Sequence, residues 1–329
     1  MPAAVRVFSA DETTSALGYR DAIAAVENAL RAGLDPDTDL PRSTVPLANG
    51  EFLLMPSEQG AVAGLKVLTV APANPGVGLP RIQGTYLLFD RTTLTLRAQL
   101  DGAALTTLRT PSVSMAAIRT ALTRSVSPLR VVVFGGGPQA VGHVEAIRAA
   151  LAGEREVESV AYVTRSGRPP AADPHVTALT AGHPTADTEL TRAGFVVCAT
   201  TARTPLFDSA MLADDSVIVA AGSHEPDARE LDGALLGRAQ VIVESRASAL
   251  RECGDVILAV DEGFLSADAV VPMREIVTGS VAVAADRPVV FKSSGMSWED
   301  LVIAEAVLHA GEKSPTPTDA HTNPARRHI

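Results

Sequence analysis

The sequence predicts an α/β protein in which a sheet-rich α+β unit is followed by a doubly wound parallel sheet of the Rossmann type. Three observations carry that expectation. From Leu129 onward, short and wholly apolar strands alternate with helical segments. A glycine-rich loop directly follows the first of these strands, and the residues before Leu129 read as extended runs joined by turns. Continuous apolar runs suit parallel strands covered on both faces, and repeated strand–helix–strand units build a doubly wound sheet.

Taken in order, Ser9-Ala10-Asp11-Glu12 reads as a capping box, serine and glutamate each satisfying a free N–H of the other. Ile23, Val26, Leu30 and Leu34 recur at helical spacing, which predicts an amphipathic helix over Asp21–Gly33. STVPLA and EFLLMPS flank Asn49-Gly50, a hairpin signal because both residues tolerate positive φ. Strands are expected at Gly64–Val70, Thr85–Asp90 and Leu94–Leu100. A helix over Thr106–Leu122 leaves this unit, with Pro111 in its first turns or kinking it. Parallel strands are expected at LRVVVF (129–134), VESVAYV (157–163), FVVCAT (195–200), SVIVAAG (216–222), QVIVES (240–245) and in RPVVFKSSG, before a closing helix over Trp298–Ala310. The tail from Glu312 is polar and proline-rich and reads as disordered.

At roughly 100–200 residues per domain, 329 residues suggest two domains. A net charge of -10, with scattered Lys and Arg, argues against a nucleic-acid partner. Apolar runs are too short to span a membrane, and the N-terminus has no signal-like apolar region, so a cytoplasmic protein is expected. Two cysteines make neither a disulfide framework nor a thiolate metal site, and the histidines lack metal-ligand spacing. Cys198, in an apolar strand, reads as core; Asp255, Asp261 and Glu262 read as a solvated acidic face. Arg81, beside a Gly-Leu-Pro turn, reads equally well as a surface residue or as one reaching a ligand.

In VVVFGGGPQAVGHVEAI, Gly135, Gly137 and Ala140 form a G-x-G-x-x-A pattern between a buried strand and a helix. Gly135 permits the tight turn, Gly137 lets a pyrophosphate approach the backbone, and Ala140 allows close helix–strand packing. The helix beginning near Pro138 aims free N–H groups and its positive dipole end at the phosphates. About 30 residues later, where an acidic residue would read the ribose hydroxyl of NAD, stand Thr164, Arg165 and Ser166. A guanidinium with flanking hydroxyls suits a 2′-phosphate, which favours NADPH and leaves NADH as the alternative.

Three cations stand in the first unit: Arg42 at the mouth of the hairpin, Lys66 inside the apolar strand AVAGLKVLTV, and Arg109 near the start of the connecting helix. A lysine in an apolar strand ordinarily faces outward with its stem packed. If these cations converge, their natural ligand is a carboxylate.

Several ordered blocks now make the chain resemble the ornithine cyclodeaminase/mu-crystallin family from about Arg42 to Leu308. They are EFLLMPS; Lys66, Pro72, Asn74 and Gly78-Leu79-Pro80; DGAALTTLRTPSVS; GGGPQA; GSHEPDARELD at 222–232; and FKSSGMSWEDL at 291–301. The resemblance implies a homodimer, with residues 1–122 and 296–329 as the substrate-binding and dimerisation domain and 123–295 as an inserted Rossmann domain. It implies that Arg42, Lys66 and Arg109 hold an amino-acid carboxylate, that Gln139 and Ala140 belong to the pyrophosphate loop, and that Thr200 and Ser293 line the coenzyme. Cyclodeaminating members carry an aspartate in the loop after the fifth Rossmann strand; here His224 stands in its place, as in the reductase-like branch.

His224 then becomes, with Lys66, a catalytic candidate facing the nicotinamide, because an imidazole gives or takes a proton near neutral pH. The leading expectation is an NAD(P)H-dependent reductase of small cyclic imino acids of the pyrroline- or piperideine-2-carboxylate type. An ornithine or lysine cyclodeaminase or amino-acid dehydrogenase using bound NAD is the alternative. A coenzyme- and ligand-binding protein without turnover is a third, of another class.

Overall fold

The computed structural model of the chain describes residues 5–170 and 176–313. Its first sheet is built from β1 (Arg6–Phe8), β2 (Ser43–Leu47), β3 (Gly50–Gln59), β4 (Val62–Val70), β5 (Ile82–Asp90) and β6 (Leu96–Asp101). The strand order is β1-β6-β5-β4-β3-β2, antiparallel except where β1 runs parallel to β6. Two helices, α1 (Ala10–Ala16) and α2 (Tyr19–Arg31), precede β2, and α3 (Gly102–Leu122) leaves β6 under an N-cap made by Asp101.

The second sheet is wholly parallel. In chain order it runs β7 (Leu129–Phe134), α4 (Pro138–Leu151), β8 (Val157–Thr164), β9 (Val176–Thr180), α5 (Pro184–Leu190), β10 (Phe195–Cys198), β11 (Val217–Ala220), α6 (Gly233–Arg238), β12 (Gln240–Val243), α7 (Arg246–Glu252), α8 (Gly254–Asp261), β13 (Val271–Pro272), α9 (Met273–Val277) and β14 (Val289–Lys292). Spatially the order is β13-β12-β14-β11-β10-β7-β8-β9. The chain builds outward from β7 to β9, then crosses to β10 and builds the other way. The β7/β10 boundary is therefore the topological switch point, where doubly wound sheets place their ligands. The last helix, α10 (Ser297–Lys313), returns to the first sheet and packs on β3, β4 and β5. Nearly all of α3 is buried, in contact with α2, α4, α10 and β14.

The strand at 129–134 has the expected bounds, because wholly apolar runs buried on both faces announce themselves. Elsewhere the structure corrects the reading. The capping box at Ser9 opens its own short helix, α1, and α2 starts two residues before the expected Asp21, behind Gly18. The hairpin pairs Leu47 with Gly50, so its two-residue turn is Ala48-Asn49 rather than Asn49-Gly50. Gly50 is nevertheless required: its φ is +154°, and a β-carbon there would sit 2.1 Å from the Val70 carbonyl oxygen.

The connecting helix starts four residues earlier than expected, which puts Pro111 in its interior. Proline removes the N–H that would reach the Thr107 carbonyl. The Tyr19 hydroxyl donates to that oxygen instead, at 3.3 Å. Glu312 and Lys313, expected in a disordered tail, belong to α10; residues 314–329 lie outside the described residues. No helix among the described residues is long and apolar enough to cross a membrane.

Candidate active site

A cavity of about 930 Å³ lies along the carboxyl ends of β7, β8, β10 and β11. Its floor is the glycine loop. Gly135 has φ +119°, and a β-carbon there would lie 2.4 Å from the Ala199 carbonyl oxygen. At Gly137 a side chain would meet nothing within 4 Å and would project into open space. Gly137 caps α4 without any side-chain hydrogen bond, which leaves N–H groups at that helix start for a ligand. These features fit a dinucleotide pyrophosphate.

Gly135, Gly137, Pro138, Gln139, Thr164, Arg165, Ser166 and Thr200 all line this cavity, and no Asp or Glu is among its lining residues. Arg168, which the sequence reading missed, joins Arg165 there. Thr164 Oγ1 accepts from Arg168 N (3.2 Å) and donates to Arg168 O (3.1 Å), so this hydroxyl latches the loop that carries both arginines. The Gln139 side chain turns away and donates to Thr106 O on α3 at 3.2 Å. Ala140, the third residue of α4, is fully buried, as close helix–strand packing requires, and Ser293, buried just after β14, donates its hydroxyl to Glu244 at 2.6 Å; neither is among the cavity's lining residues.

The three cations converge around the N-terminus of α10. Lys66 stands on β4 in phase with Val62 and Gly64, on the face that α10 covers, and is 1% exposed. The outward-facing expectation fails because the strand's covered face includes this position. Lys66 Nζ donates to Asp300 Oδ1 at 2.9 Å, while Arg109 Nη1 pairs with Glu299 at 2.5 Å and its Nε lies 3.6 Å from Asp300. Arg42 donates to the Gly295 carbonyl at 3.0 Å and pairs with Glu252. A β-carbon on Gly295 would meet the Arg109 guanidinium at 2.6 Å, so the two arginines straddle this glycine.

Burial depresses the Lys66 pKa; Asp300 opposes that shift and the charge of Arg109 adds to it. Burial also pushes the Glu299 carboxyl well above its usual range, and neighbouring Glu244 pushes it further. His224 is exposed on its loop, and its pKa is lowered by the protein packed around it and then by Arg42, a shift that favours the uncharged imidazole. Arg81 is exposed.

A second buried network fixes the loop that carries His224. Glu230 accepts from Thr200 N (2.8 Å), Thr200 Oγ1 (2.7 Å) and Gly222 N (2.8 Å), tying together the loops that follow β10 and β11. Asp255 accepts from Glu230 N and Leu231 N and pairs with Lys292 at 3.0 Å; Lys292 donates to the Ser223 carbonyl at 2.6 Å. Asp255 is 1% exposed, which corrects its reading as part of a solvated face. Cys198 is buried in β10 with its thiol pKa raised by burial, as its apolar strand implied. Among the described residues no cluster of His, Cys, Asp or Glu has the makings of a metal site.

The family model described as ornithine cyclodeaminase/mu-crystallin matches residues 5–314. A Delta(1)-pyrroline-2-carboxylate reductase of Bacillus thuringiensis subsp. konkukian is 32% identical, covering 94% of this chain and 97% of that protein. Among solved structures, Thermococcus litoralis Delta(1)-pyrroline-2-carboxylate reductase, in complex with NADH and L-proline, superposes with a TM-score of 0.79 at 22% identity over 94% of this chain and 98% of that one. An archaeal alanine dehydrogenase dimer with bound NAD gives 0.80 at 23% identity, covering 94% and 96%. These two likenesses establish the shared fold. The match of the family model along nearly the whole chain, with a relative of full-length similarity, makes this protein a member of the ornithine cyclodeaminase/mu-crystallin family.

Proposed function

We propose that the protein is an NAD(P)H-dependent reductase of small cyclic imino acids, acting on a pyrroline- or piperideine-2-carboxylate type of C=N bond. The observation that carries this reading is the convergence of Arg42, Lys66 and Arg109 around the start of α10, with Arg42 acting on His224 and the dinucleotide cavity at the carboxyl edge of the second sheet. The names of the curated relatives point the same way.

In this reading the cationic set holds the substrate carboxylate and fixes which face of the imine meets the coenzyme. When bound, the coenzyme supplies a hydride to the imine carbon. His224, or a water it holds by a hydrogen bond, supplies or stabilises the proton that the imine nitrogen must carry for the reduction to balance. Arg165 and Arg168, with Ser166, read a 2′-phosphate, so NADPH is preferred and NADH is the weaker donor.

Residues 1–122 and 296–329 form the substrate and dimerisation unit, and 123–295 the coenzyme unit. The protein works as a homodimer: Leu47, Val77, Leu79 and Ile82 are exposed at one end of the first sheet, an apolar area suited to a second copy.

The test is nicotinamide absorbance in the presence of each imino acid with NADPH or NADH. Rapid oxidation with NADPH preferred is the expected result. No oxidation, together with ammonia release from ornithine or lysine, would replace the reading with cyclodeamination. Tight NADPH binding without any turnover would leave a binding protein.

A further inference from the structure

We propose that the buried carboxylate of Glu230 acts on the coenzyme as a fixed negative charge, stabilising the positive charge that the nicotinamide ring acquires as hydride leaves it. This role rests on the reductase reading above and deepens it.

The two ends of the cavity decide which part of a dinucleotide lies where. Arg165, Ser166 and Arg168 stand beyond β8, and the glycine loop follows β7. With the 2′-phosphate on the arginines and the pyrophosphate on the loop, the nicotinamide end falls against the loops after β10 and β11. There the lining is Thr200, Thr201, Ala202, Ala221 and Gly222, with no charged side chain of its own.

A carboxylate lies directly behind that wall. Glu230 is fully buried and accepts from Thr200 N (2.8 Å), Thr200 Oγ1 (2.7 Å) and Gly222 N (2.8 Å). A β-carbon on Gly222 would lie 2.5 Å from Glu230 Oε1, so the carboxylate packs against the backbone of a residue that lines the cavity. Thr200 Oγ1 accepts from Ala202 N at 3.1 Å, which turns the hydroxyl's own proton to Glu230. Burial raises the Glu230 pKa, and Lys292 and the Thr200 hydrogen bonds oppose that rise. With three donors converging on it, the group is held as a carboxylate.

Among the described residues no cation forms an ion pair with Glu230. Lys292 is engaged by Asp255 at 3.0 Å and by the Ser223 carbonyl at 2.6 Å. Arg229 pairs with Glu262 at 2.8 Å, Arg203 pairs with Glu225 and Asp227, and His224 is exposed on its loop. Glu230 is therefore held by dipoles rather than by a bonded cation, and its field reaches the cavity.

Reduced and oxidised coenzyme differ at that end by one charge. Hydride transfer carries one proton and two electrons to the imine carbon. The C=N π pair becomes the lone pair of the protonated nitrogen, and the nicotinamide ring is left with one positive charge. A negative charge already in place and shielded from water favours that state over the neutral ring. At an effective dielectric constant of about 20, unit charges about 10 Å apart change an equilibrium by about tenfold. Glu230→Gln removes the charge at nearly constant shape. It should weaken NADP+ binding about tenfold relative to NADPH, and slow imine reduction by a smaller factor.

The experiment measures the dissociation constants of NADPH, by its fluorescence, and of NADP+, by displacement of NADPH. The proteins are the unmodified chain, Glu230→Gln and Thr200→Val, the last of which loosens the loops but keeps the charge. The ratio of the NADP+ constant to the NADPH constant is expected to rise about tenfold in Glu230→Gln and to stay unchanged in Thr200→Val. A merely structural clip would weaken both coenzyme forms alike. A ratio unmoved in Glu230→Gln, or raised equally in Thr200→Val, would overturn the proposal.

If Glu230→Gln does not fold, the unmodified protein decides. Tighter binding of NADP+ than of NADPH, by a ratio that holds between about 0.1 M and 1 M salt, is expected, because a buried charge escapes screening. Tighter binding of NADPH, or a preference for NADP+ that salt abolishes, would overturn the role. Imino-acid turnover with the ratio unmoved in Glu230→Gln would sink this inference alone. The expected ratios without turnover of any imine would sink the reductase reading alone.

Discussion

Arg165 stands in the coenzyme cavity with a guanidinium that no carboxylate among the lining residues neutralises. A charge-assisted hydrogen bond contributes about 1.5–3 kcal/mol. Arg165→Ala should therefore lower kcat/KM for NADPH by roughly ten- to a hundredfold while leaving NADH nearly unchanged, as steady-state kinetics with both coenzymes would read. Lys66 presents the opposite situation, a cation wholly committed to a partner inside the protein. Lys66→Met leaves the buried Asp300 with only Arg109 Nε, 3.6 Å away, as a counter-charge, and breaking a buried pair costs up to about 3–5 kcal/mol. Urea unfolding should show a loss of that size, and imino-acid turnover should vanish with it. The sequence displayed Arg42, Lys66 and Arg109 as cations but hid their partners. Glu299 and Asp300 lie 190 and 234 residues away from Arg109 and Lys66, and no local pattern links such pairs. For the same reason Asp255 looked like an ordinary surface acid until Lys292 was placed beside it.

At the scale of elements, the connecting helix α3 depends on donors from its neighbours. Pro111 leaves the Thr107 carbonyl without its helical N–H, and Tyr19 on α2 fills the gap. Tyr19→Phe keeps the packing and removes the donor, so thermal unfolding should report a loss of about 1 kcal/mol. The α3–α4 contact holds a second such device. His143 is fully buried, its ring bonded to Ser114 at 2.9 Å and to the Gln139 carbonyl at 2.8 Å, and burial lowers its pKa from 6.5 to about 4. Because the unfolded chain takes up the proton more readily, this contribution is complete above pH 6.5 and fades as pH falls towards 4. The loss amounts to about 3 kcal/mol, at 1.36 kcal/mol per pKa unit. Stability measured against pH should lose most of that slope in His143→Gln. The largely apolar strands were legible, β7 to the residue, while β10, β11 and β12 are shorter than the runs at 195–200, 216–222 and 240–245 suggested. The edge strands β1, β9 and β13 were not, since strands of 3, 5 and 2 residues take their conformation from a neighbour's ladder rather than from their own periodicity.

For the whole molecule, the switch point between β7 and β10 puts the dinucleotide cavity at the edge of the second sheet, and α10 brings the first sheet's cations towards it. The glycine loop, read between a buried strand and a helix, was enough to locate that cavity in advance; the carboxylates that organise the remainder were not visible until the chain was folded. The proposed association of two copies has its own test. Leu47→Glu places a charge in the exposed apolar end of the first sheet; light scattering is expected to give a dimer for the unaltered protein and a monomer for the variant.

The position of α10 also bears on the order in which the protein is made. Lys66 leaves the ribosome 234 residues before Asp300, the carboxylate that neutralises it, and the whole of the second sheet emerges in between. During that interval an ammonium stands unpaired on the face of a strand that must later be buried, where closing the core without its counter-charge is strongly unfavourable. The parallel sheet has every one of its strands in hand first. Completion of the first sheet's core, and of the cationic site with it, waits for the final helix, so a chain arrested before residue 297 holds the coenzyme loop without the machinery to use it.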